Sequence, residues 1–249
     1  MKQVVALCIV VVLGPAAAAS GAPCESLASL SLANTTVTLA QTVAHGAFMQ
    51  PDGRSSTAAQ GAARAAANAY ASLPAFCRVA VTLTPTPRSD IKAEVWLPSN
   101  GWNGKLQVVG NGSFAGTIGY AAMATALAGG YAAASTDTGH TGPPANTFVN
   151  DDVLVDYAYR SIHETTAAAK KIVDGFYGSA PKFSYFSGCS TGGRQALHEA
   201  QRYPDDFDGI VAGAPGLYAS RQAFAQNWMY HPAVRVSAVC SLQRRRQHQ

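Results

Sequence analysis

Short apolar segments alternate with helical stretches along most of the chain, and that order predicts an α/β fold, a mostly parallel sheet with helices on both faces. Two further observations agree with it. Glycine-rich turns follow two of the predicted strands directly, where open α/β sheets place their functional loops. The 249 residues are 48% apolar and only 13% charged, against about 25% charged in ordinary domains. That is enough apolar material for a core, and it excludes a disordered chain. One domain is the expectation at this length. The net charge of +4, from 18 basic and 14 acidic side chains, is too small to indicate a nucleic-acid partner. The run Arg244-Arg245-Arg246 reads as a solvated tail.

The elements follow in order. Lys2, the apolar run at 4–13, Gly14-Pro15 and the small residues after them have the layout of a secretory signal peptide over residues 1–22, cleaved within 16–22. The run is shorter than the roughly 20 residues a membrane helix needs, and no later segment suits an anchor, so the mature protein is expected to be secreted or periplasmic, with no membrane partner. Cys8 leaves with the signal; Cys24, Cys77, Cys189 and Cys240 remain and are expected to pair in an oxidising compartment. No C-x-x-C and no Cys/His cluster has metal spacing, so a zinc site is not expected; no other metal and no cofactor is expected either.

Residues 24–80 read as Ala-rich and helix-friendly, broken by a turn at Pro51-Asp52-Gly53. RVAVTLTPT from Arg78 and IKAEVWLP from Ile91 alternate in polarity and predict an antiparallel strand pair. KLQVVG at 105–110 is a strand entering a glycine-rich loop at 110–116; 117–128 is a small-residue helix stopped by Gly129-Gly130. Strand 131–136, a polar loop at 137–150 and a long helix at 153–177 come next. Strand 183–187, helix 192–202 and strand 209–213 close the series.

Gly188-Cys189-Ser190-Thr191-Gly192 carries the sharpest chemical signal. It is a G-x-S-x-G between a strand and a helix, the context in which the serine stands on a tight turn with its hydroxyl clear of the backbone. Free N–H groups at the helix start favour developing negative charge, so Ser190 is the candidate nucleophile and the Thr191 N–H one oxyanion donor. The loop Gly110-Asn111-Gly112-Ser113-Phe114-Ala115-Gly116 reads two ways. In a hydrolase its Gly112 or Ser113 N–H is the second oxyanion donor. In a dinucleotide-binding fold it matches G-x-G-x-x-A, with Asp137 as the ribose-binding acid. A third reading gives the glycines only a packing role. His45 and His163 read as structural, and Asp137 and His140 as loop residues that line a pocket or are merely polar. Asn34-Thr35-Thr36 and Asn111-Gly112-Ser113 are glycosylation sequons in a eukaryotic source.

KLQVVGNGSFAG, STDTGH and SYFSGCSTGGRQALHEAQRYPDDFDGIVAGAPG together resemble the tannase and feruloyl esterase family over about Cys24 to Leu217. The resemblance implies an α/β-hydrolase-like fold and a Ser-Asp-His triad acting on small phenolic esters, of feruloyl or galloyl type. It implies Ser190 as nucleophile, a Cys24–Cys77 bridge, and Cys189 as half of a disulfide whose partner precedes the catalytic histidine. Family members insert a lid, often with a calcium site, after the strand matching GIVAGAP. Only 59 residues follow Ser190 here. His198, Asp205, Asp206, Asp208, His231 and His248 all read as surface positions, which leaves acid and base unassigned. Cys189 and Cys240 either pair with each other or stay free. The chain is therefore expected to hold a signal peptide (1–22), a C-terminally incomplete catalytic domain (23–218) without lid or calcium site, and a tail (219–249). The functional expectation is a secreted serine esterase of low activity. The alternatives are a secreted non-catalytic remnant that binds aromatic ligands and the dinucleotide-binding domain.

Overall fold

The structure, a computed structural model, describes residues 22–51, 70–114, 116–141 and 150–218, with 221, 224, 225 and 228. The expected signal peptide, Cys240, His231, His248 and most of the expected tail lie outside the described residues.

Seven strands form one sheet in the order β1-β2-β3-β5-β4-β6-β7. They are β1 Thr35–Val43, β2 Phe76–Leu83, β3 Ile91–Pro98, β4 Lys105–Val109, β5 Ala132–Thr136, β6 Phe183–Cys189 and β7 Gly209–Gly213. β1, β2 and β3 are antiparallel neighbours, and β3 runs antiparallel to β5. From β5 onward every pairing is parallel: β5 with β4, β4 with β6, β6 with β7. The parallel half is the half that carries the site.

Side-chain alternation divides the core into two layers. Val79, Val81, Ile91, Val95, Leu106, Val108 and Ala134 face one side and pack on the helix α3 (Ser161–Tyr177), with Ala196 of α4 (Thr191–Arg202). Phe76, Trp96, Val109 and Ala133 face the other, against Met123, Ala126 and Leu127 of α1 (Tyr120–Ala128). Helices thus cover both faces, as expected, because each strand presents apolar residues on alternate sides.

Three local expectations are corrected. The helix-friendly reading of 24–80 misses β1. TTVTLAQTV is rich in β-branched residues, which fit a pleated ladder, and its register on β2 runs from Thr35 opposite Leu83 to Val43 opposite Phe76. Cys24–Ser29, just before it, is a 3₁₀ turn. The expected helix at 153–177 is not uniform: α2 (Asp151–Val155) passes into a π-helical turn at Asp156–Arg160 before α3 begins. The helix expected from 117 starts only at Tyr120, because Asn111 holds the Thr117 carbonyl in the preceding loop.

Cys24 and Cys77 form a disulfide, with Cα atoms 5.4 Å apart. It staples the 3₁₀ turn to β2, at the opposite side of the sheet from Ser190.

Candidate active site

β6 ends at Cys189 and α4 begins at Thr191, so the whole reversal of direction falls on Ser190. Its φ is +59° and its ψ −115°, a backbone conformation that costs an L-residue on the order of 1–3 kcal/mol and persists only where its surroundings over-determine it. Three backbone hydrogen bonds do so. Ser190 N–H donates to the Gly213 carbonyl at 3.0 Å, and its own carbonyl accepts from Arg194 N–H at 3.0 Å and Gly216 N–H at 3.2 Å. The loop leaving β7 therefore clasps the turn, which explains why GIVAGAPG accompanies GCSTGG in the sequence. Glycine is required where these backbones meet. A Cβ on Gly188 would lie 2.5 Å from the Gly192 backbone, and one on Gly193 would lie 2.2 Å from the Gly213 carbonyl oxygen.

The second loop docks on the same turn. Gly192 N–H donates to the Asn111 carbonyl at 2.7 Å, and the Thr191 hydroxyl donates to the Ser113 carbonyl. Thr191 is the first residue of α4, so its N–H has no intrahelical acceptor. Ser113 has a φ of +51°. The structure thus brings Ser190, Thr191 and Ser113 together. Cys189 is exposed and unpaired among the described residues.

A buried amide pair fixes the spacing of the two loops, and motif reading misses it. Asn111 N–H donates to Gln195 Oε1 at 3.0 Å, and Gln195 Nε2 donates to Asn111 Oδ1 at 2.9 Å. Asn111 Nδ2 gives its two protons to the carbonyls of Thr136, at 2.7 Å, and Thr117, at 3.0 Å. Both side chains are buried. With its amide nitrogen so engaged and buried, Asn111 does not present it to solvent in the folded protein. Nothing in the local sequence signals this pair, because its members lie 84 residues apart.

Asp137 is not presented as a ribose-binding acid. It is buried, and its Oδ1 accepts from Lys92 N–H at 3.0 Å and Gly139 N–H at 2.8 Å. Burial pushes its carboxyl up to about 7 against the opposing pull of those two donors. His140 is also buried, its Nδ1 sharing a hydrogen bond with the Thr138 hydroxyl at 3.2 Å.

The other acids and histidines sit away from Ser190. His163 lies flat on Tyr203, with centroids 3.9 Å apart, and bonds Asp206 at 2.7 Å, a structural role as expected. Asp208 accepts from Ser184 N–H at 2.7 Å, while Asp205 is exposed. His198 is not the surface residue expected. It is half-buried on α4, and its pKa is lowered by desolvation and by Arg194 and Arg202 on either side. Among the described residues no group of three or more His, Cys, Asp or Glu is placed to hold a metal ion.

The strand order and a serine-bearing turn between a parallel strand and its helix define an α/β-hydrolase fold. Known proteins agree with it. The solved structure of feruloyl esterase B from Aspergillus oryzae superposes with a TM-score of 0.66 at 36% identity, over 77% of this chain and 36% of that one. An uncharacterized esterase of Xanthomonas campestris is 39% identical over 230 residues, 89% of this chain and 38% of that protein. Feruloyl esterase B of Aspergillus niger is 41% identical over 143 residues, 57% of this chain and 27% of the relative. A family model described as tannase and feruloyl esterase matches residues 77–240. The chain belongs to the tannase and feruloyl esterase family. It spans less than two fifths of the length of these relatives. Its fold and family exclude the dinucleotide-binding reading.

Proposed function

We propose that the protein is a secreted carboxylic-ester hydrolase of the serine type, acting on phenolic esters of feruloyl or galloyl kind. The observation that carries this reading is the conformation of Ser190, held at φ +59° between β6 and α4 with Thr191 bonded to the Ser113 loop. Ser190 Oγ attacks the ester carbonyl. The N–H groups of Thr191 and Ser113 receive the negative charge on the carbonyl oxygen, at the start of a helix whose dipole favours it. The alkoxide leaves with the proton that the serine hydroxyl gives up, and water then cleaves the acyl-serine, returning a proton to Ser190 Oγ and releasing the acid. Relatives named feruloyl esterase support the substrate class. Secretion is supported by the Cys24–Cys77 disulfide, since such bonds persist in oxidising compartments. Among the described residues no helix is long and apolar enough to cross a membrane.

The described histidines serve other contacts or lie away from the turn, so Ser190 has no evident base within this part of the fold. Turnover of methyl ferulate by the 249-residue chain is expected about 10⁴-fold below that of a complete triad. The test is mass mapping after prolonged exposure to a fluorophosphonate. A slow adduct on Ser190 that disappears in Ser190→Ala is expected. An adduct elsewhere, or none, overturns the reading. Robust methyl ferulate turnover would instead give the role of base to one of His198, His231 or His248, with His198 the first to replace.

A further inference from the structure

α4 carries the serine turn at its start, yet little apolar packing holds it. Leu197 and Ala200 are exposed, and the side chains it buries are those of Gln195, Ala196 and Glu199. A helix is usually seated by its buried apolar face, and here one alanine supplies that face. Polar side chains take over the task. Gln195 holds the helix to the Asn111 loop. Arg194, one residue earlier and about 100° around the helix, holds it to the π turn at Asp156–Arg160. Its guanidinium donates to the Ala158 carbonyl at 2.8 Å through Nη1 and to the Tyr157 carbonyl at 3.2 Å through Nη2. It also lies over the Tyr157 ring, 4.7 Å from the centroid. A planar fork on two neighbouring carbonyls fixes direction as well as distance.

The π turn is a firm mount. Such turns inside α-helices are rare and concentrate at functional sites. Asp156 is fully buried and accepts from Arg160 Nε. The Arg160 guanidinium reaches on to the Ser89 hydroxyl at 3.0 Å and the Asp152 carbonyl at 3.2 Å, which ties the turn to the loop between β2 and β3. The Tyr157 ring is held by the Phe114 ring, 20° from parallel at 6.3 Å, and by the His140 ring, edge-on at 5.7 Å. At its other end Arg194 meets the nucleophile turn directly. Its backbone N–H donates to the Ser190 carbonyl at 3.0 Å.

We propose that Arg194 is a positioning residue for Ser190: its guanidinium fixes the first turn of α4 against the π turn and so sets where Ser190 Oγ and the Thr191 N–H stand relative to the Ser113 loop. The proposal rests on Ser190 being the nucleophile. Arg194 acts through the turn and not by touching substrate. Reacting groups misplaced by about 1 Å lose on the order of 10²-fold in rate, so a turn free to tilt reacts more slowly while the domain stays folded. Lysine is no substitute, because an ammonium keeps the charge but is a point donor that cannot span both carbonyls.

The test is the rate of fluorophosphonate labelling of Ser190 in the full chain, with a thermal melt of each variant. Arg194→Ala is expected to label about tenfold more slowly than wild type. Low, non-denaturing guanidinium is expected to recover part of that loss, and methylammonium none. Arg194→Lys is expected to be about threefold slower than wild type, and it carries the test if Arg194→Ala does not fold. Arg202→Ala is the matched control. Arg202 leaves the same helix about two turns later and lies over the Tyr159 ring at 4.0 Å, so the variant removes a similar contact far from the turn and is expected to label at the wild-type rate. A wild-type rate in folded Arg194→Ala, a full rate in Arg194→Lys, recovery in neither salt or equally in both, or an equal loss in Arg202→Ala overturns the positioning role. The two readings fail differently. Unaltered labelling in the Arg194 variants leaves Ser190 as nucleophile, whereas no adduct on the wild type removes the nucleophile and the positioning role together.

Discussion

Gln195 controls the site at the scale of a single residue without touching substrate. Its amide meets the backbone and side chain of Asn111, and both groups are buried. Truncation strands the Asn111 N–H and Oδ1 in the interior, where an unpaired polar group costs about 1–3 kcal/mol. Gln195→Ala is expected to lower stability by about 2 kcal/mol in urea unfolding and to slow labelling of Ser190, because the Ser113 loop loses its anchor. A variant as stable as wild type that labels normally would deny the pair this role. Glu199, on the same helix, gives a pH signature. It is fully buried, and burial first, with the Asp206 carboxylate second, pushes its carboxyl up to about 8 from 4.5. Between those values the folded chain keeps a proton that the unfolded chain has released. Stability is therefore expected to be full below about pH 4.5 and to fall as pH rises to about 8. Asp137, pushed up to about 7, adds a slope of the same sign. Glu199→Gln should flatten part of the decline in urea midpoints between pH 5 and pH 8, and an unchanged slope would contradict this.

The disulfide acts at the scale of elements. It joins the 3₁₀ turn Cys24–Ser29 to β2 across a sequence separation of 53 residues. β1, which lies within that loop, is the edge strand beside β2. Cross-linking a loop of this length removes about 4 kcal/mol of unfolded-chain entropy in the chain-entropy account. Cys24→Ala/Cys77→Ala should lower the thermal midpoint by well over 5 °C, and reduction of the wild type should do the same. If peptide mapping finds both thiols free in oxidised, folded protein, the bridge is absent and the expected loss with it. At the opposite end of the sheet the serine turn is held by hydrogen bonds. The GAPG loop after β7 clasps Ser190 through Gly213 and Gly216.

At the scale of the whole molecule, β7 is the last strand in the sheet order of the described residues. Val211 on it is 63% exposed, and Phe224 and Trp228 beyond it are each 70% exposed. A shallow groove beside it is lined by Tyr131, Tyr185, Ile210 and Val211. Unpaired strand edges next to apolar surface invite pairing between chains. The protein is expected to elute from size-exclusion columns as concentration-dependent oligomers, and Val211→Lys should shift it toward monomer. A sharp monomer peak at every concentration for the unaltered chain would show that this edge is covered.

The regular parts of this architecture were legible in the residues themselves. β2, β3, β4, β5, β6 and β7 announce themselves by alternation or by short apolar runs between turn signals, and the serine turn by glycines at which a Cβ would collide with neighbouring backbone. Local sequence carries this because strand period, helix period and glycine-only backbone approach are properties of neighbouring residues. β1 escaped because Thr-rich pairing depends on the partner strand and not on apolar content. The π turn, the Asn111–Gln195 pair, the burial of Asp137 and the ring wall of Tyr157, Phe114 and His140 were decided by tertiary structure alone. Each joins residues far apart in the chain, and the energy that fixes them comes from satisfying polar groups or packing rings that meet only after the sheet has brought their loops to one end.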